Sequence, residues 1–374
     1  MTGAGATAPR VVVAGGHSAG HIEPAMNFAD ALRRLEPEAA ITALGTVRGL
    51  DTELIPARGY PLELIPPVPL PRTLNRALLQ TPGMLRDSVR AAGAVLDRVR
   101  AEIVVGFGGY VAAPAYLAAR RRGLPIVVHE ANARPGVANR LAARMTTHVF
   151  TATPSVRLAH ATAIGIPLRR AITGLDRPAL RDAARQRLGL RPEGPVLMVT
   201  GGSQGARAIN AAVSGAAAAL RGAGVQVLHI TGPQHVVQVP DGDPAGPPYV
   251  VIPYVDEMQY AYAAADFAIC RSGAMTCAEL AAAGLPAAYV PLPLRGGDQR
   301  LNAEPAVAAG GALLVDDAGL DPAWIEAILI PVLTDPGRIA AMSARASAAA
   351  APDADVILAR HVLTAVADRR RFAS

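Results

Sequence analysis

Short runs of Val, Ile and Leu alternate with longer stretches rich in Ala, Leu and Arg along the whole chain of 374 residues. Continuous apolar strands are typical of parallel sheets buried on both faces, and the intervening segments carry the spacing of crossover helices. The runs fall into two sets of six, at 10–15, 39–45, 61–65, 102–106, 125–129 and 147–151, and at 195–200, 225–231, 249–252, 266–270, 286–290 and 311–315. We therefore predict an α/β fold with two doubly wound, Rossmann-like domains facing across a cleft.

The domain boundary is predicted where a strand-like run stops at a proline, in Gly165-Ile166-Pro167-Leu168-Arg169-Arg170. This gives an N-terminal domain over 1–167 and a C-terminal domain over 168–352. A last helical segment, 353–374, is expected to pack back on the N-terminal domain and complete it.

Composition narrows the class of protein. A hydrophobic content of 51% excludes a disordered chain, and the net charge of +6, carried by arginine without any lysine, favours anionic ligands or an anionic membrane surface. No nucleic-acid motif is present, so we expect no nucleic-acid partner.

The cysteine count bears on the cellular compartment. Two cysteines, Cys270 and Cys277, cannot form a disulfide framework, which favours a reducing compartment. No apolar run reaches the roughly 18 residues of a membrane span, and no signal sequence is recognisable, so the chain is predicted to be cytosolic.

Two glycine-containing loops follow strands in the first half. The first, Gly15-Gly16-His17-Ser18-Ala19-Gly20-His21, lacks the acidic residue some 20 positions later that a dinucleotide site requires. His21 is either a general base, since imidazole titrates near neutrality, or a residue that packs at a helix start. The second, Gly106-Phe107-Gly108-Gly109-Tyr110, either binds an anion such as a diphosphate or is a plain strand-to-helix turn.

Two motifs that contain acidic residues are weaker evidence for a functional site. His129-Glu130-Ala131-Asn132 could be a proton relay or half of a metal site, but no further histidine has metal-ligand spacing. We therefore expect Glu130 and Asn132 to hold loops or to contact sugar hydroxyls. Asp241-Gly242-Asp243 has the spacing of metal-dependent glycosyltransferases, yet it lies in a proline- and glycine-rich stretch typical of a solvated turn.

Two strand–loop–helix units in the second half indicate a nucleotide-sugar site. They are Gly201-Gly202-Ser203-Gln204-Gly205-Ala206-Arg207 and Cys270-Arg271-Ser272-Gly273-Ala274. The backbone N–H groups at such helix starts bind anions. Glu279, farther along the second helix, is placed to accept sugar hydroxyls.

Arginines interleaved with apolar residues follow the first three strands. Arg72, Arg76, Arg86 and Arg90 alternate with Leu70, Leu74, Leu78, Leu79, Met84 and Leu85, and Arg120, Arg121 and Arg122 form a second patch. This pattern favours a helix pair resting on an anionic bilayer, the alternative being an ordinary solvated helix face.

Taken together, these segments resemble the MurG family, the lipid-linked N-acetylglucosaminyltransferases of peptidoglycan synthesis, over nearly the whole chain. The resemblance implies a GT-B fold and the inverting transfer of N-acetylglucosamine from UDP-N-acetylglucosamine to the C4 hydroxyl of lipid I, which gives lipid II and UDP. It implies a peripheral enzyme at the cytoplasmic face of the cell membrane, with acceptor and membrane contacts in the N-terminal domain and the donor in the C-terminal domain. It implies no required cofactor, with a divalent cation at most stimulatory.

The resemblance also assigns roles by position. His21 is the base, and Gly108, Gly109 and Tyr110 bind the acceptor. The residues assigned to the donor are Ser18, Ala19, Gly20, Asn132, Arg169, Ser203, Gln204, Val255, Ser272, Gly273, Ala274, Glu279, Asp298 and Gln299.

The chain departs from the family pattern at His17 and Ser18, where glycine and threonine are usual, at Ile166, where asparagine is common, and at Asp298, where glutamine is usual. Three other functions stay open at this stage: a UDP-N-acetylglucosamine 2-epimerase, another lipid or natural-product glycosyltransferase, and a nucleotide-sugar-binding scaffold without activity.

Overall fold

The structure is a computed structural model, and it describes residues 8–68, 77–293 and 297–373. The chain divides into two compact units, one formed by residues 1–168 with 352–374 and the other by residues 169–351. We call them unit 1 and unit 2.

Unit 1 is built on a sheet of seven parallel strands in the order β3-β2-β1-β4-β5-β6-β7. The strands are β1 Arg10–Gly15, β2 Ala40–Gly45, β3 Leu62–Leu64, β4 Ile103–Gly108, β5 Ile126–Glu130, β6 Val149–Thr151 and β7 Ala161–Ala163. The helices are α1 Ala19–Leu35, α2 Asp51–Ala57, α3 Ala77–Arg98, α4 Ala112–Arg121, α5 Val137–Ala142 and, from the end of the chain, α16 Ala354–Ala373.

Unit 2 is built on a sheet of six parallel strands in the order β10-β9-β8-β11-β12-β13. The strands are β8 Val196–Thr200, β9 Gln226–Ile230, β10 Tyr249–Ile252, β11 Phe267–Cys270, β12 Ala287–Tyr289 and β13 Ala312–Leu314. The α-helices are α6 Arg170–Thr173, α7 Arg177–Arg187, α8 Arg207–Gly215, α9 Ala217–Gly222, α10 Met258–Ala264, α11 Ala274–Ala283, α12 Asp298–Ala308, α13 Pro322–Trp324, α14 Ile330–Leu333 and α15 Pro336–Ser347. A 3₁₀-helix covers Asp317–Gly319 and a π-helix covers Ile325–Leu329.

Each sheet is covered on both faces, because its strands are apolar on both sides. In unit 1, one face carries α1 and α16, with Phe28, Leu32 and Leu358 fully buried among them. The opposite face carries α3 and α4, with Leu96 and Tyr116 in a second core. Unit 2 likewise has two cores, one on either face of its sheet.

The prediction of two doubly wound parallel sheets is confirmed, and every one of the twelve apolar runs overlaps a strand. The seventh strand of unit 1, Ala161–Ala163, was not predicted. Its three residues are small and exposed at the sheet edge, so they carry no apolar signal.

The strand order places four loops at the points where the winding of each sheet reverses. In unit 1 the reversal lies between β1 and β4, and in unit 2 it lies between β8 and β11. Ligands of doubly wound sheets bind outside the carboxyl ends of the strands at this point. The loops that follow these four strands are the four loops singled out in the sequence.

Candidate active site

The two glycine loops of unit 1 touch each other. Gly108 and Gly109 have φ of +92° and +79°, a backbone conformation that favours glycine. A Cβ atom on Gly108 would lie 3.0 Å from Cδ2 of His21, and one on Gly109 would lie 2.5 Å from the carbonyl oxygen of Gly16. The second loop can therefore approach His21 this closely only because it carries no side chains there.

His21 lies in the first turn of α1, which begins at Ala19 with Ser18 as its N-cap residue. The Ser18 hydroxyl lies 3.0 Å from Nδ1 of His21, and Nε2 faces Gly108, 3.2 Å from where a Cβ would stand. Burial lowers the pKa of His21, nearby His17 lowers it further, and Asp51 raises it. At neutral pH this imidazole is therefore neutral and able to accept a proton.

His17, one of the departures from the family pattern, has φ of +78°. Glycine takes this conformation freely, whereas other residues pay a steric cost, which explains why glycine is usual at this position. The exposed ring of His17 lies edge-on to Tyr110, with 4.9 Å between ring centroids. His17 and the second loop thus contact each other through side chains as well.

Asp51, which was not predicted from the sequence, fixes the first glycine loop through hydrogen bonds. It is fully buried, and its carboxylate accepts hydrogen bonds from the backbone N–H of His17 at 2.6 Å and of Thr46 at 2.8 Å. Asp51 follows β2, which neighbours β1, so its position at the carboxyl end of that strand was the available signal.

His129 and Glu130 do not form a relay or a metal site. His129 is fully buried, its Nε2 donates to the carbonyl of Gly165 at 2.8 Å, and burial lowers its pKa to about 4. Glu130 instead accepts from Asn132 N–H, Gly136 N–H and Asn139 Nδ2, at 2.9–3.0 Å. The expectation that Glu130 holds loops agrees with these contacts, and the side-chain amide of Asn132 also reaches Glu130, at 3.3 Å.

The first loop of unit 2 runs from Gly201 to Ala206, and α8 begins only at Arg207. Ser203 and Gln204 are exposed between Gly202 and Gly205, whose φ angles are +83° and +73°. A Cβ on Gly205 would lie 2.1 Å from the carbonyl oxygen of Thr231, so the loop is pressed against the end of β9. Two residues, Gly205 and Ala206, separate Gln204 from the helix, so Ser203 and Gln204 belong to the loop and not to the helix start.

The second loop of unit 2 ends β11 and begins α11. Gly273 is the N-cap residue and Ala274 the first residue of the helix. Ser272 is fully buried, and its hydroxyl has no hydrogen-bond partner in the part of the chain that the structure describes. Its carbonyl accepts from the side-chain amide of Asn302 at 3.3 Å, which ties the loop to α12.

Glu279 lies one and a half turns into α11 and is half-buried. The hydroxyl of Tyr262 donates to its Oε2 at 2.7 Å, and Tyr262 is itself buried in the core of unit 2. One face of the carboxylate is thereby fixed by a residue that the sequence reasoning did not single out.

Asp298 and Gln299 begin α12, behind a glycine N-cap at Gly297. Oε1 of Gln299 accepts from the backbone N–H of Leu292 at 2.9 Å, so this amide holds the preceding loop. Oδ1 of Asp298 is buried, and no partner for it exists among residues 8–68, 77–293 and 297–373.

Two more predicted donor residues, Val255 and Arg169, lie in unit 2, whereas Ser18, Ala19, Gly20 and Asn132 lie in unit 1. Val255 is half-buried in the turn between β10 and α10, and Arg169 is half-buried at the start of α6. Gly20, assigned to the donor from unit 1, is exposed in the first turn of α1.

Within the described ranges, no cluster of three or more His, Cys, Asp or Glu side chains could hold a metal ion. Asp241 and Asp243 are exposed, and Oδ1 of Asp243 accepts from the N–H of Ala245 at 2.8 Å within its own turn. Both cysteines are free thiols, and burial raises the pKa of Cys277 to about 12.

The arginine–leucine segment is described only in part. Arg72 and Arg76, together with Leu70 and Leu74, lie outside the described residues. Arg86 and Arg90 are exposed on α3. None of the helices, as far as they are described, is long and apolar enough to cross a membrane.

Comparison with known proteins agrees with this arrangement. Residues 11–151 match the glycosyltransferase family 28 N-terminal domain, and residues 196–357 match the family 28 C-terminal domain. A protein of Streptomyces avermitilis, named UDP-N-acetylglucosamine--N-acetylmuramyl-(pentapeptide) pyrophosphoryl-undecaprenol N-acetylglucosamine transferase, is 56% identical, covering 96% of this chain and 99% of its own. A protein of Thermobifida fusca with the same name is also 56% identical, over 95% of this chain and 93% of its own.

Solved structures are similar over comparable lengths. The crystal structure of MurG from Acinetobacter baumannii superposes with a TM-score of 0.77 at 25% identity, covering 96% of this chain and 99% of that one. A UDP-GlcNAc 2-epimerase of Neisseria meningitidis gives a TM-score of 0.65 at 14% identity, covering 95% of this chain and all of that one, which shows a shared fold alone. The transferase hypothesis is thus favoured over the epimerase alternative.

Proposed function

Because this chain belongs to glycosyltransferase family 28, and within it to the MurG family, we propose that it transfers N-acetylglucosamine from UDP-N-acetylglucosamine to the C4 hydroxyl of the muramoyl unit of lipid I. The products are lipid II and UDP. The relatives at 56% identity carry this substrate pair in their names. The chain is a glycosyltransferase, and the identity of its substrates is the proposal.

The observation that carries the proposal is the setting of His21. The Ser18 hydroxyl engages Nδ1, and Nε2 faces the glycine loop that the resemblance assigns to the acceptor. A base acting through Nε2 requires the tautomer with a proton on Nδ1, and the Ser18 oxygen can accept that proton's hydrogen bond. A neutral imidazole so oriented is suited to removing the proton of an acceptor hydroxyl.

The chemical step is a single displacement. The C4 oxygen attacks the anomeric carbon while its proton passes to Nε2 of His21. The bond from the anomeric carbon to the diphosphate oxygen breaks, and UDP departs with the electron pair. One such displacement converts the α-configuration of the donor into the β-configuration of the product, and no covalent enzyme intermediate is needed.

Unit 2 binds the nucleotide part of the donor. Glu279 accepts the ribose hydroxyls, and the hydrogen bond from Tyr262 holds its carboxylate in place. The loop at Ser203 and Gln204 and the start of α8 stabilise the departing diphosphate through backbone N–H groups and the helix dipole. Gly273 and Ala274, at the start of the ten-residue helix α11, offer further N–H groups to the donor. The buried hydroxyl of Ser272 lies beside these groups. Val255 presents backbone groups to uracil, and Asp298 and Gln299 lie near the donor sugar.

We place the enzyme at the cytoplasmic face of the cell membrane as a peripheral protein. Its proposed acceptor is anchored by a lipid, and α3 exposes Arg86 and Arg90 beside the half-buried Met84 and Leu85. Arginines of this kind bind anionic lipid headgroups.

Replacing Arg86 and Arg90 with serine is expected to weaken binding to anionic vesicles, and unchanged binding would leave α3 an ordinary solvated helix.

The experiment for the transferase proposal is identification of the product. Purified protein is incubated with UDP-N-acetylglucosamine and a short-chain lipid I analogue, and the product is analysed by mass and by the anomeric coupling of the new linkage. We expect the analogue to gain one N-acetylglucosamine in a β-linkage to C4. An α-linkage, another position or free sugar alone would contradict the proposal.

A further inference from the structure

The first glycine loop is held in a conformation that its own sequence disfavours. His17 has φ of +78°, a conformation that is sterically unfavourable for a residue with a side chain. Such a residue keeps this conformation only where its surroundings impose it. The contacts around His17 therefore determine the conformation of the first glycine loop.

Residues at the start of α2 and just before it form hydrogen bonds with both backbone polar groups of His17. The carboxylate of Asp51 accepts from the N–H of His17 at 2.6 Å, and the N–H of Leu50 donates to the carbonyl of His17 at 3.3 Å. Gly49 makes this approach possible, because a Cβ there would lie 2.3 Å from the same carbonyl oxygen. The backbone of residue 17 is thus fixed at its N–H and at its C=O by residues more than 30 positions later.

The carboxylate of Asp51 accepts hydrogen bonds from the loop and does not form an ion pair with an arginine of the described residues. It is fully buried, and no arginine pairs with it in the described part of the chain. Its second oxygen accepts from Thr46 N–H at 2.8 Å, and a Cβ on Gly16 would stand 3.0 Å from its first oxygen. Hydrogen bonds from the His17 N–H, the Thr46 N–H and the Thr46 hydroxyl offset the cost of burying this carboxylate without a cation, and they join the first glycine loop to the turn after β2.

We propose that Asp51 is a positioning residue for the reaction: by holding His17 in its left-handed conformation it sets the N-cap Ser18 and the following turn, and so aims His21 at the second glycine loop. Its negative charge also acts on the imidazole. This inference rests on the proposed function, in which His21 is the base.

The electrostatic part has a definite direction. His17, from the same loop, lowers the pKa of His21, whereas Asp51, from α2, raises it and opposes the effect of burial. Gly108 faces the ring from β4 and Ser18 contacts Nδ1, and both are neutral. Removing the charge of Asp51 therefore lowers the pKa of His21 and makes it a weaker base.

The test compares Asp51→Asn with Asp355→Asn. Asp355 is also a buried aspartate of unit 1, but it lies on α16 and pairs with Arg34 at the end of α1, at 2.7 Å, and not with the loop. For Asp51→Asn we expect kcat to fall roughly 10- to 100-fold, since misplaced catalytic groups cost about that much, with UDP affinity unchanged. The acid limb of the kcat profile moves to lower pH, and so does the His21 titration followed by NMR.

Asp355→Asn is expected to lower the unfolding temperature without changing kcat, the pH profile or the His21 titration. Wild-type kcat and an unshifted His21 titration in Asp51→Asn would overturn the proposal. Should Asp51→Asn not fold, the same comparison is made in the His17→Gly background, where glycine takes φ of +78° freely. The titration needs no substrate, so wild-type protein without transferase activity would contradict the proposed function while the effect of Asp51 is still measured.

Discussion

At the scale of single residues, the proposed chemistry depends on which nitrogen of His21 can take a proton. Ser18 engages Nδ1 and the glycine loop faces Nε2, so the ring is oriented before any substrate arrives. The lowered pKa of His21 keeps it neutral at physiological pH, which is the form that a base requires.

His21→Ala is expected to lower kcat by roughly 10²–10⁴-fold, because positioned bases contribute about that much. UDP binding should be retained, since Glu279 and Val255, the residues proposed to hold the ribose and the uracil, lie in unit 2. In the wild type, the acid limb of the kcat profile should lie below pH 6.5, because burial lowers the pKa of this base. His160→Ala, at an exposed histidine, serves as the control. Near-normal turnover of His21→Ala would reassign His21 to loop structure.

Glu279→Ala is expected to raise the donor KM sharply, because the variant loses an acceptor for two hydroxyls and leaves the buried Tyr262 hydroxyl without its partner. Tyr262→Phe keeps the carboxylate and should raise the donor KM less. The measurement is initial rate against donor concentration, with Glu304→Ala, an exposed residue of unit 2, as control. A donor KM unchanged in Glu279→Ala would exclude this role.

Site residues that lie close to an apolar strand in the sequence could be predicted. Residues that contact the site from distant positions in the sequence could not. Gly108 ends an apolar strand, and His21 and Glu279 lie in the first two turns of helices that follow such strands. Asp51 reaches His17 across 34 positions and Tyr262 reaches Glu279 across 17, so only the folded chain pairs them.

At the scale of elements, the C-terminal helix α16 packs on α1 and completes one core of unit 1. Leu358, Ala359 and Val362 are fully buried there. Arg370 at the end of α16 forms hydrogen bonds with both carboxylate oxygens of Glu102, at 2.7 and 2.8 Å. A segment from the end of the chain is therefore structural for the N-terminal unit.

Leu358→Ala is expected to destabilise the protein by about 2–5 kcal/mol, the range for removing a buried leucine side chain. Its neighbour Ile357 is 44% exposed, so Ile357→Ala should cost less than about 1 kcal/mol. Urea unfolding of the two variants provides the comparison. Equal losses would mean that α16 does not pack as described.

Elements with a strong apolar pattern were predictable, and the start of α8 was not. Gly202 and Gly205 take positive φ and extend the loop to Ala206, so that α8 begins only at Arg207. Turn conformation depends on contacts such as that of Gly205 with β9, which lie outside any local pattern.

At the scale of the whole molecule, each unit contains a buried neutral histidine. Burial lowers the pKa of His129 in unit 1 and of His229 in unit 2 to about 4. In the unfolded chain these groups bind protons below about pH 6.5. Their contribution to stability is therefore complete above pH 6.5 and is lost as the pH falls towards 4.

At pH 5.0 this linkage should cost about 2 kcal/mol per histidine relative to pH 7.5, from 1.36 kcal/mol per pKa unit. We expect urea midpoints to fall on acidification, and His229→Gln to remove its own share of that fall. The exposed His160 gives the matched variant, His160→Gln, which should keep the full pH dependence. A His229→Gln variant with the wild-type pH dependence would contradict this account.

The most direct test of the central claim is UDP release from UDP-N-acetylglucosamine by the purified protein, measured with and without a short-chain lipid I analogue. An inverting transferase that uses His21 to deprotonate the acceptor should release UDP only when the analogue is present. Release without the analogue, or none with it, would contradict the claim that this chain glycosylates a lipid-linked acceptor.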